Sequence, residues 1–273
     1  MVAAMSSESD TWHHGLVARW WAEFNVAPPD VLAYFRNAIR RFGEPALDLG
    51  CGTGRILIPL LRDGFDVDGV DVSSDMIAEA ESAARGLGLK PSLRVQPLHE
   101  LEAERRYRTA FMCGVFGLGG RRDRDRAALR RIHDLLEPDG ALVIAEHEFP
   151  YALMDERKWA RWLPGHRADI PREWSNDGER RTTRSGDEIE LESRLADFNP
   201  LEQTELAEMR ARLWHEGAVV KEEIHTLGVC LYFAQEISSM LDEAGFRDVS
   251  IESGFTGLPA TADDEMVAYL ARP

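Results

Sequence analysis

Cysteine is scarce in this chain: three among 273 residues, at Cys51, Cys113 and Cys230. They are odd in number, far apart and never at ligand-pair spacing. That argues against a disulfide framework and against a structural zinc site, and it fits a reducing cytoplasm. Basic side chains are also in the minority, with 32 Lys and Arg against 48 Asp and Glu and a formal net charge of -16. An acidic surface repels phosphate backbones and anionic bilayers, so neither a nucleic-acid nor a membrane partner is expected. No run approaches the ~20 apolar residues of a membrane span. The opening MVAAMSSESD lacks the basic start and apolar core of a signal peptide. Low-complexity tracts and solenoid repeats are missing as well.

What remains is an ordinary globular composition in which strands and helices alternate. Helical spacing covers residues 15–24, with Leu16, Trp20 and Phe24 on one face. Asp30 is the expected N-cap of a second helix reaching Phe42. Short apolar strands are expected at 46–49, 67–70, 93–96, 109–113 and 141–145, with helices at 54–63, from Ser73 or Ser74 to 87, and at 123–136. Glu137-Pro138-Asp139-Gly140 reads as the turn before the fifth strand. This β-α-β-α order implies a mostly parallel sheet covered on both faces. The Arg-Asp run at 121–131 reads as a solvated, self-paired helix face.

After Pro150 the rhythm changes. Residues 151–186 carry many Trp, Arg, Gly and Pro, whereas 188–192, 204–214 and 219–232 read as extended runs separated by turns, the expectation for a three-stranded antiparallel meander. A helix at 235–244, stopped at Gly245, and strands at 249–252 and 266–271 complete the chain. The predicted fold is α/β: a doubly wound, mostly parallel, seven-stranded Rossmann-like sheet with an inserted antiparallel β lid. The expected division is a helical cover (1–44), a cofactor-binding core (45–150), a substrate lid (151–232) and the C-terminal part of the core (233–273).

The motif richest in chemistry is Asp48-Leu49-Gly50-Cys51-Gly52-Thr53-Gly54, between a strand and a helix. Glycines there let a ligand approach the backbone, because no Cβ intervenes. Asp71 ends the next strand, where a carboxylate can accept both hydroxyls of a ribose. Dinucleotide sites share this logic but want a third glycine where this chain has Arg55. An acid ahead of the loop suits a cofactor with an ammonium and a sulfonium better than one with a pyrophosphate.

The string from Ala46 to Gly54 resembles the first motif of class I S-adenosylmethionine-dependent methyltransferases, and Gly69-Val70-Asp71-Val72-Ser73-Ser74-Asp75-Met76 resembles their second. Leu135 to Gly140 and the stretch closing with Ala244-Gly245-Phe246 are similar to later family segments. The resemblance implies S-adenosylmethionine as cofactor and S-adenosylhomocysteine as product. It assigns cofactor binding to Asp48, Gly50, Cys51, Gly52, Gly54, Asp71, Val72 and Met76. Pro97-Leu98 stands where the family often has an acid followed by an apolar residue; that leaves the Leu98 N–H for adenine, with His99 or Glu100 as substitutes for the acid. Cys113, Gly114 and Val115 occupy the place of the methionine amine. An aromatic of the leading helix, Trp20 or Trp21, is the implied cover. Cys113 as a catalytic thiol is disfavoured, since nothing in the sequence lowers its pKa.

Ligands of open α/β sheets bind beyond the carboxyl ends of the strands. The fifth strand exits through Glu146-His147-Glu148-Phe149-Pro150. His147 is therefore the candidate general base, a hydrogen-bonded structural histidine being the alternative. Strand alternation points Glu146 and Glu148 away from His147, so no metal site is expected. Phe149, Trp159, Trp162, Trp214 and Tyr232 are candidate substrate-lining residues, with ordinary packing as the alternative for about half of them. The expected activity is methyl transfer to oxygen or nitrogen of a small metabolite in secondary metabolism, on the aromatic insertion and the acidic surface. A non-methylating use of the same sulfonium cofactor and a non-catalytic binding module are the other readings. The oligomeric state is left open, a homodimer among the options.

Overall fold

The computed structural model describes residues 11–148, 159–175 and 178–273, with no account of the side chains of His147 and Glu148. The chain divides into two compact units. The larger contains Val26–Phe116, resumes at Arg122 through β-sheet residues and includes the C-terminal segment from Tyr232; the smaller takes residues 11–25, Gly117–Arg121 and the described part of 159–231.

The larger unit is built on a seven-stranded sheet. Its strands are β1 (Ala46–Leu49), β2 (Val67–Asp71), β3 (Leu93–Val95), β4 (Tyr107–Cys113), β5 (Leu136–Glu148), β10 (Asp248–Ser253) and β11 (Met266–Arg272), in the order β10-β11-β5-β4-β1-β2-β3. β1 to β5 run parallel, and β11 pairs antiparallel with both β5 and β10. Chain order steps outward from β1 in both directions, so a crevice opens where β1 and β4 diverge. The strands are short and apolar because helices shield both faces. Helix α2 (Pro29–Phe42) packs Val31, Phe35, Ile39 and Phe42 into one cluster with Phe111, Ala141 and Val143. Fully burying such a side chain contributes roughly 1.5–3 kcal/mol.

Several local expectations change. Asp30 lies inside the first turn of α2, and Pro28 takes the N-cap position ahead of Pro29; proline at N1 has no N–H to leave unpaired. The helix after the glycine loop, α3 (Leu57–Arg62), starts three residues later than predicted. Gly54 at φ +85° holds the chain outside helical geometry there. The 137–140 turn falls within β5: Tyr107 pairs with Leu136 and Thr109 with Ala141, so these four residues bulge from the ladder instead of ending it. Helices α4 (Ser74–Gly86), α5 (Arg122–Leu135) and α6 (Ala234–Ala244) lie within about two residues of their predicted spans.

The smaller unit holds a four-stranded antiparallel sheet, where three strands were expected: β6 (Glu179–Thr182), β7 (Glu188–Asn199), β8 (Thr204–His215) and β9 (Ala218–Cys230). The extra strand, Glu-Arg-Arg-Thr, is exposed throughout and has no apolar alternation to reveal it. Helix α1 (Gly15–Phe24) belongs to this unit and buries Leu16, Val17 and Trp20 with Ile189, Leu191, Met209 and Ala211. No helix among the described residues is long and apolar enough to cross a membrane.

Candidate functional site

The candidate site lies at the carboxyl ends of β1, β2, β4 and β5. Leaving β1, the chain passes through Gly50 (φ +74°), Gly52 (φ +53°) and Gly54 (φ +85°), all in the left-handed region open to glycine. The N–H groups of Gly50 and Cys51 both donate to the carbonyl of Val70, at 2.8 and 2.9 Å, which folds the loop over the end of β2. A Cβ on Gly50 would stand 2.7 Å from Val115. A Cβ on Gly52 would meet nothing within 4 Å, so this position looks onto open space.

Asp71 ties the loop to the next helix. One carboxylate oxygen accepts from Gly52 N–H at 2.8 Å, the other from Ser73 N–H at 2.8 Å. Ser73 then caps α4 by accepting from Met76 N–H at 3.2 Å. Val72 beside it is 40% exposed, whereas Met76 is buried at 1%. Gln96 N–H donates to the Asp71 carbonyl at 2.8 Å, and Leu98 and His99 follow in a 3-10 turn. A buried carboxylate, an exposed apolar neighbour and open space beside Gly52 thus stand along one strand-end row. That arrangement fits an adenosyl group.

At the other end of the row, Arg55 Nη2 donates to Glu146 Oε2 at 2.6 Å and to Cys113 Sγ at 3.3 Å, while the Cys113 thiol donates to Glu146 Oε2 at 3.1 Å. Burial pushes the Cys113 thiol up, against the pull of the Arg55 charge, so it stays protonated. Burial also lifts the Asp48 carboxyl to about 8; Arg55 opposes the rise and Asp71 adds to it. Glu146 sits at φ +59°, in a bulge where two β5 residues, Ala145 and Glu146, oppose the single Ala268 of β11. The bulge interrupts the alternation from which the side-chain directions at the β5 exit were predicted.

Sequence reasoning missed the contact between Arg55 and Glu146. Their contact spans 91 residues, and the one available signal was a charged residue just after the last glycine, matched by an acid at the fifth strand exit.

The substrate candidates fall in both units. His147 pairs with Val267 in the ladder, but its side chain, like all of Phe149, lies outside the described residues. Tyr232 is buried in the larger unit, its hydroxyl donating to Asp125 at 2.6 Å and its ring 5.3 Å from Phe116. Trp159, Trp162 and Trp214 belong to the smaller unit. Trp159 is 44% exposed, Trp162 meets Phe198 edge-on at 5.2 Å, and Trp214 stacks under Arg180 at 3.7 Å. Trp20 is buried within the same unit, beneath Arg181.

Residues 46–140 match a family model described as a methyltransferase domain. A Geobacillus sp. (strain WCH70) protein named as a methyltransferase is 26% identical over 264 residues, covering 93% of this chain and 97% of that protein. A ubiquinone biosynthesis O-methyltransferase of Azorhizobium caulinodans is 29% identical over 178 residues, covering 55% of this chain and 67% of its own length. Among solved structures, S-adenosylmethionine-bound CalS10 of Micromonospora echinaspora, an amino pentose methyltransferase, superposes with a TM-score of 0.59 at 18% identity, covering 89% of each chain.

Proposed function

We propose that this chain is a class I S-adenosylmethionine-dependent methyltransferase and that it methylates an oxygen or nitrogen of a small-molecule metabolite. The carrying observation is Asp71 at the end of β2, whose two carboxylate oxygens accept from the Gly52 and Ser73 N–H groups beside the glycine loop. When bound, S-adenosylmethionine supplies the chemistry: a methyl group on a positively charged sulfur. The chain's own residues align and shield. Asp71 holds the ribose hydroxyls, and Val72 and the Leu98–His99 turn border the adenine. The Gly50–Gly54 backbone leaves room for the adenosyl thioether, and Cys113, Gly114 and Val115 border the amino-acid end. Displacement at such a carbon needs alignment and exclusion of water more than covalent help from the protein. An oxygen acceptor additionally requires a proton acceptor, the role proposed for His147.

The small-molecule assignment is supported by the amino pentose and ubiquinone activities of the similar proteins and by the net charge of -16, which disfavours polyanionic substrates. The cytoplasm is the proposed compartment, on the scarcity of cysteine. Isothermal titration with S-adenosylhomocysteine tests the cofactor site: the wild type binds, and Asp71→Ala lowers affinity at least roughly 10-fold by removing charge-assisted hydrogen bonds. Mass spectrometry of acceptor mixtures tests the reaction, which adds one methyl group per cofactor consumed. A wild-type chain that ignores S-adenosylhomocysteine overturns the proposal.

A further inference from the structure

The four-stranded sheet of the smaller unit ends in two unlike edge strands. An edge strand presents unpaired N–H and C=O groups, and natural proteins blunt it by shortness, charge or cover. β6 is short and polar: four residues, Glu-Arg-Arg-Thr, all exposed. β9, at the other edge, has 13 residues. Its C-terminal end is covered by the chain itself. Leu118 bridges to Val229, Gly119 N–H donates to the Gly228 carbonyl at 2.8 Å, and Cys230 N–H donates to the Gly117 carbonyl at 2.8 Å. From Ala218 to His225, β8 is the one strand that pairs with β9 among the described residues, and Val220 falls in a ladder shift that leaves it opposite no β8 residue. In this stretch Val219, Val220 and Ile224 are 42%, 57% and 53% exposed. An open edge lined by three exposed aliphatic side chains is a template for strand addition.

The order of residues along that edge selects the partner. When a strand pairs antiparallel with a second copy of itself, the two-fold axis stands perpendicular to the sheet, so every residue keeps its face. Side chains alternate faces, so a residue can oppose only one that lies an even number of places from it in sequence. Centring on Lys221 sets that lysine against its own copy and Val220 against Glu222. Centring on Glu223 sets that acid against its own copy and Ile224 against Glu222. A register centred on Val220 leaves Ile224 without a strand partner, and one centred on Ile224 runs Val220 into Gly228, which Gly119 already holds. Centring on Glu222 sets Val220 against Ile224 and Lys221 against Glu223, each pair occurring twice by symmetry. Lys221 is 57% exposed and meets Glu223 at 2.5 Å within its own strand, and the other oxygen of Glu223 accepts from Leu16 N–H at 2.8 Å, which fixes the carboxylate. Two such strands would bring two lysines and two glutamates into one alternating cluster. The unfavourable pair is Glu222 against its own copy at the axis, since like charges directly opposite destabilise. Long-range repulsion between two chains of charge -16 is largely screened at about 0.15 M salt.

We propose that β9 of one copy pairs antiparallel with β9 of a second copy, centred on Glu222, so that two four-stranded sheets join into one of eight strands. The inference goes beyond the proposed reaction and does not depend on it, because every residue it uses lies in the smaller unit.

Sedimentation velocity of the full chain over about 1–200 µM, at about 0.15 M salt, reads the association. The wild type is expected to pass from monomer to dimer across that range. Val220→Glu and Ile224→Lys each set a charge against an aliphatic side chain at two symmetric places, and each is expected to weaken the dimer at least about 10-fold. The double variant, Val220→Glu with Ile224→Lys, sets acid against base in the proposed register and is expected to return to within about 3-fold of the wild type. Glu222→Thr removes the like-charge pair and is expected to tighten the dimer about 3-fold or more, a gain that no folding defect produces. A wild type that stays monomeric at every concentration overturns the proposal. So does a dimer that both single variants leave intact, or a double variant that remains as weak as the single ones.

Discussion

Asp71 performs two structural tasks with one carboxylate. It closes the glycine loop through Gly52 N–H and starts the next turn through Ser73 N–H. Gly52 can separate this local structure from ligand binding. Its φ of +53° suits glycine, and a Cβ there would enter open space. Gly52→Ala is therefore expected to lower stability by only about 1–2 kcal/mol, from left-handed strain. The same methyl group stands where the adenosyl moiety is proposed to lie, so S-adenosylhomocysteine affinity falls at least roughly 10-fold. Chemical denaturation without ligand and calorimetry with it read the two effects separately.

Asp48 carries a pH signature. Its carboxyl titrates near 8 when folded, against 3.8 in an ordinary setting, because burial disfavours the charge. Between those values the folded state holds a proton that the unfolded state has lost. The stability this contributes is complete below about pH 4 and is lost as pH rises through about 8. His13, lowered to about 4 mainly by burial, works in the opposite sense, favouring the folded state as pH rises toward 6.5. In the difference between wild type and Asp48→Asn the His13 contribution cancels. Ligand-free Asp48→Asn should gain thermal midpoint relative to wild type steadily from pH 5 to 8.5. A constant difference across that range would refute the assignment.

Among elements, α1 is the one whose sequence admitted two uses. Its apolar stripe packs with β7 and β8 inside the smaller unit, and Trp20 is 8% exposed there. Truncating a core tryptophan costs about 3–5 kcal/mol, so Trp20→Ala should shift the denaturation midpoint strongly. Titration of the folded variant with S-adenosylhomocysteine addresses the other use: a loss of affinity marks a role in covering the cofactor, and unchanged affinity leaves Trp20 to packing. The periodicity that revealed α1 reports an apolar face and says nothing of which neighbour receives it. The same limit applies to Tyr232 and Trp214, since an aromatic residue in an extended run reads identically whether it lines a pocket or packs; the Tyr232 hydroxyl donates to Asp125 and Arg180 lies over the Trp214 ring.

For the whole molecule, net charge governs association. At -16 the chain should leave double-stranded DNA and phosphatidylserine vesicles unbound at about 0.15 M salt, where the Debye length is about 8 Å. Fluorescence anisotropy and vesicle sedimentation measure this, and micromolar binding to either would redirect the substrate search toward polyanions.

The order of the strands, the glycine loop and the acid at Asp71 were legible in the sequence because each is local. A strand, a turn and a helix start are written within a few residues, and their spacing is set by backbone geometry. Tertiary structure alone decided that β6 completes a four-stranded sheet, that α1 packs with that sheet, and that Arg55 meets Glu146 across 91 residues at a bulge. Those outcomes depend on which distant surfaces come together, and burial of apolar area is non-directional, so no short stretch of sequence encodes them.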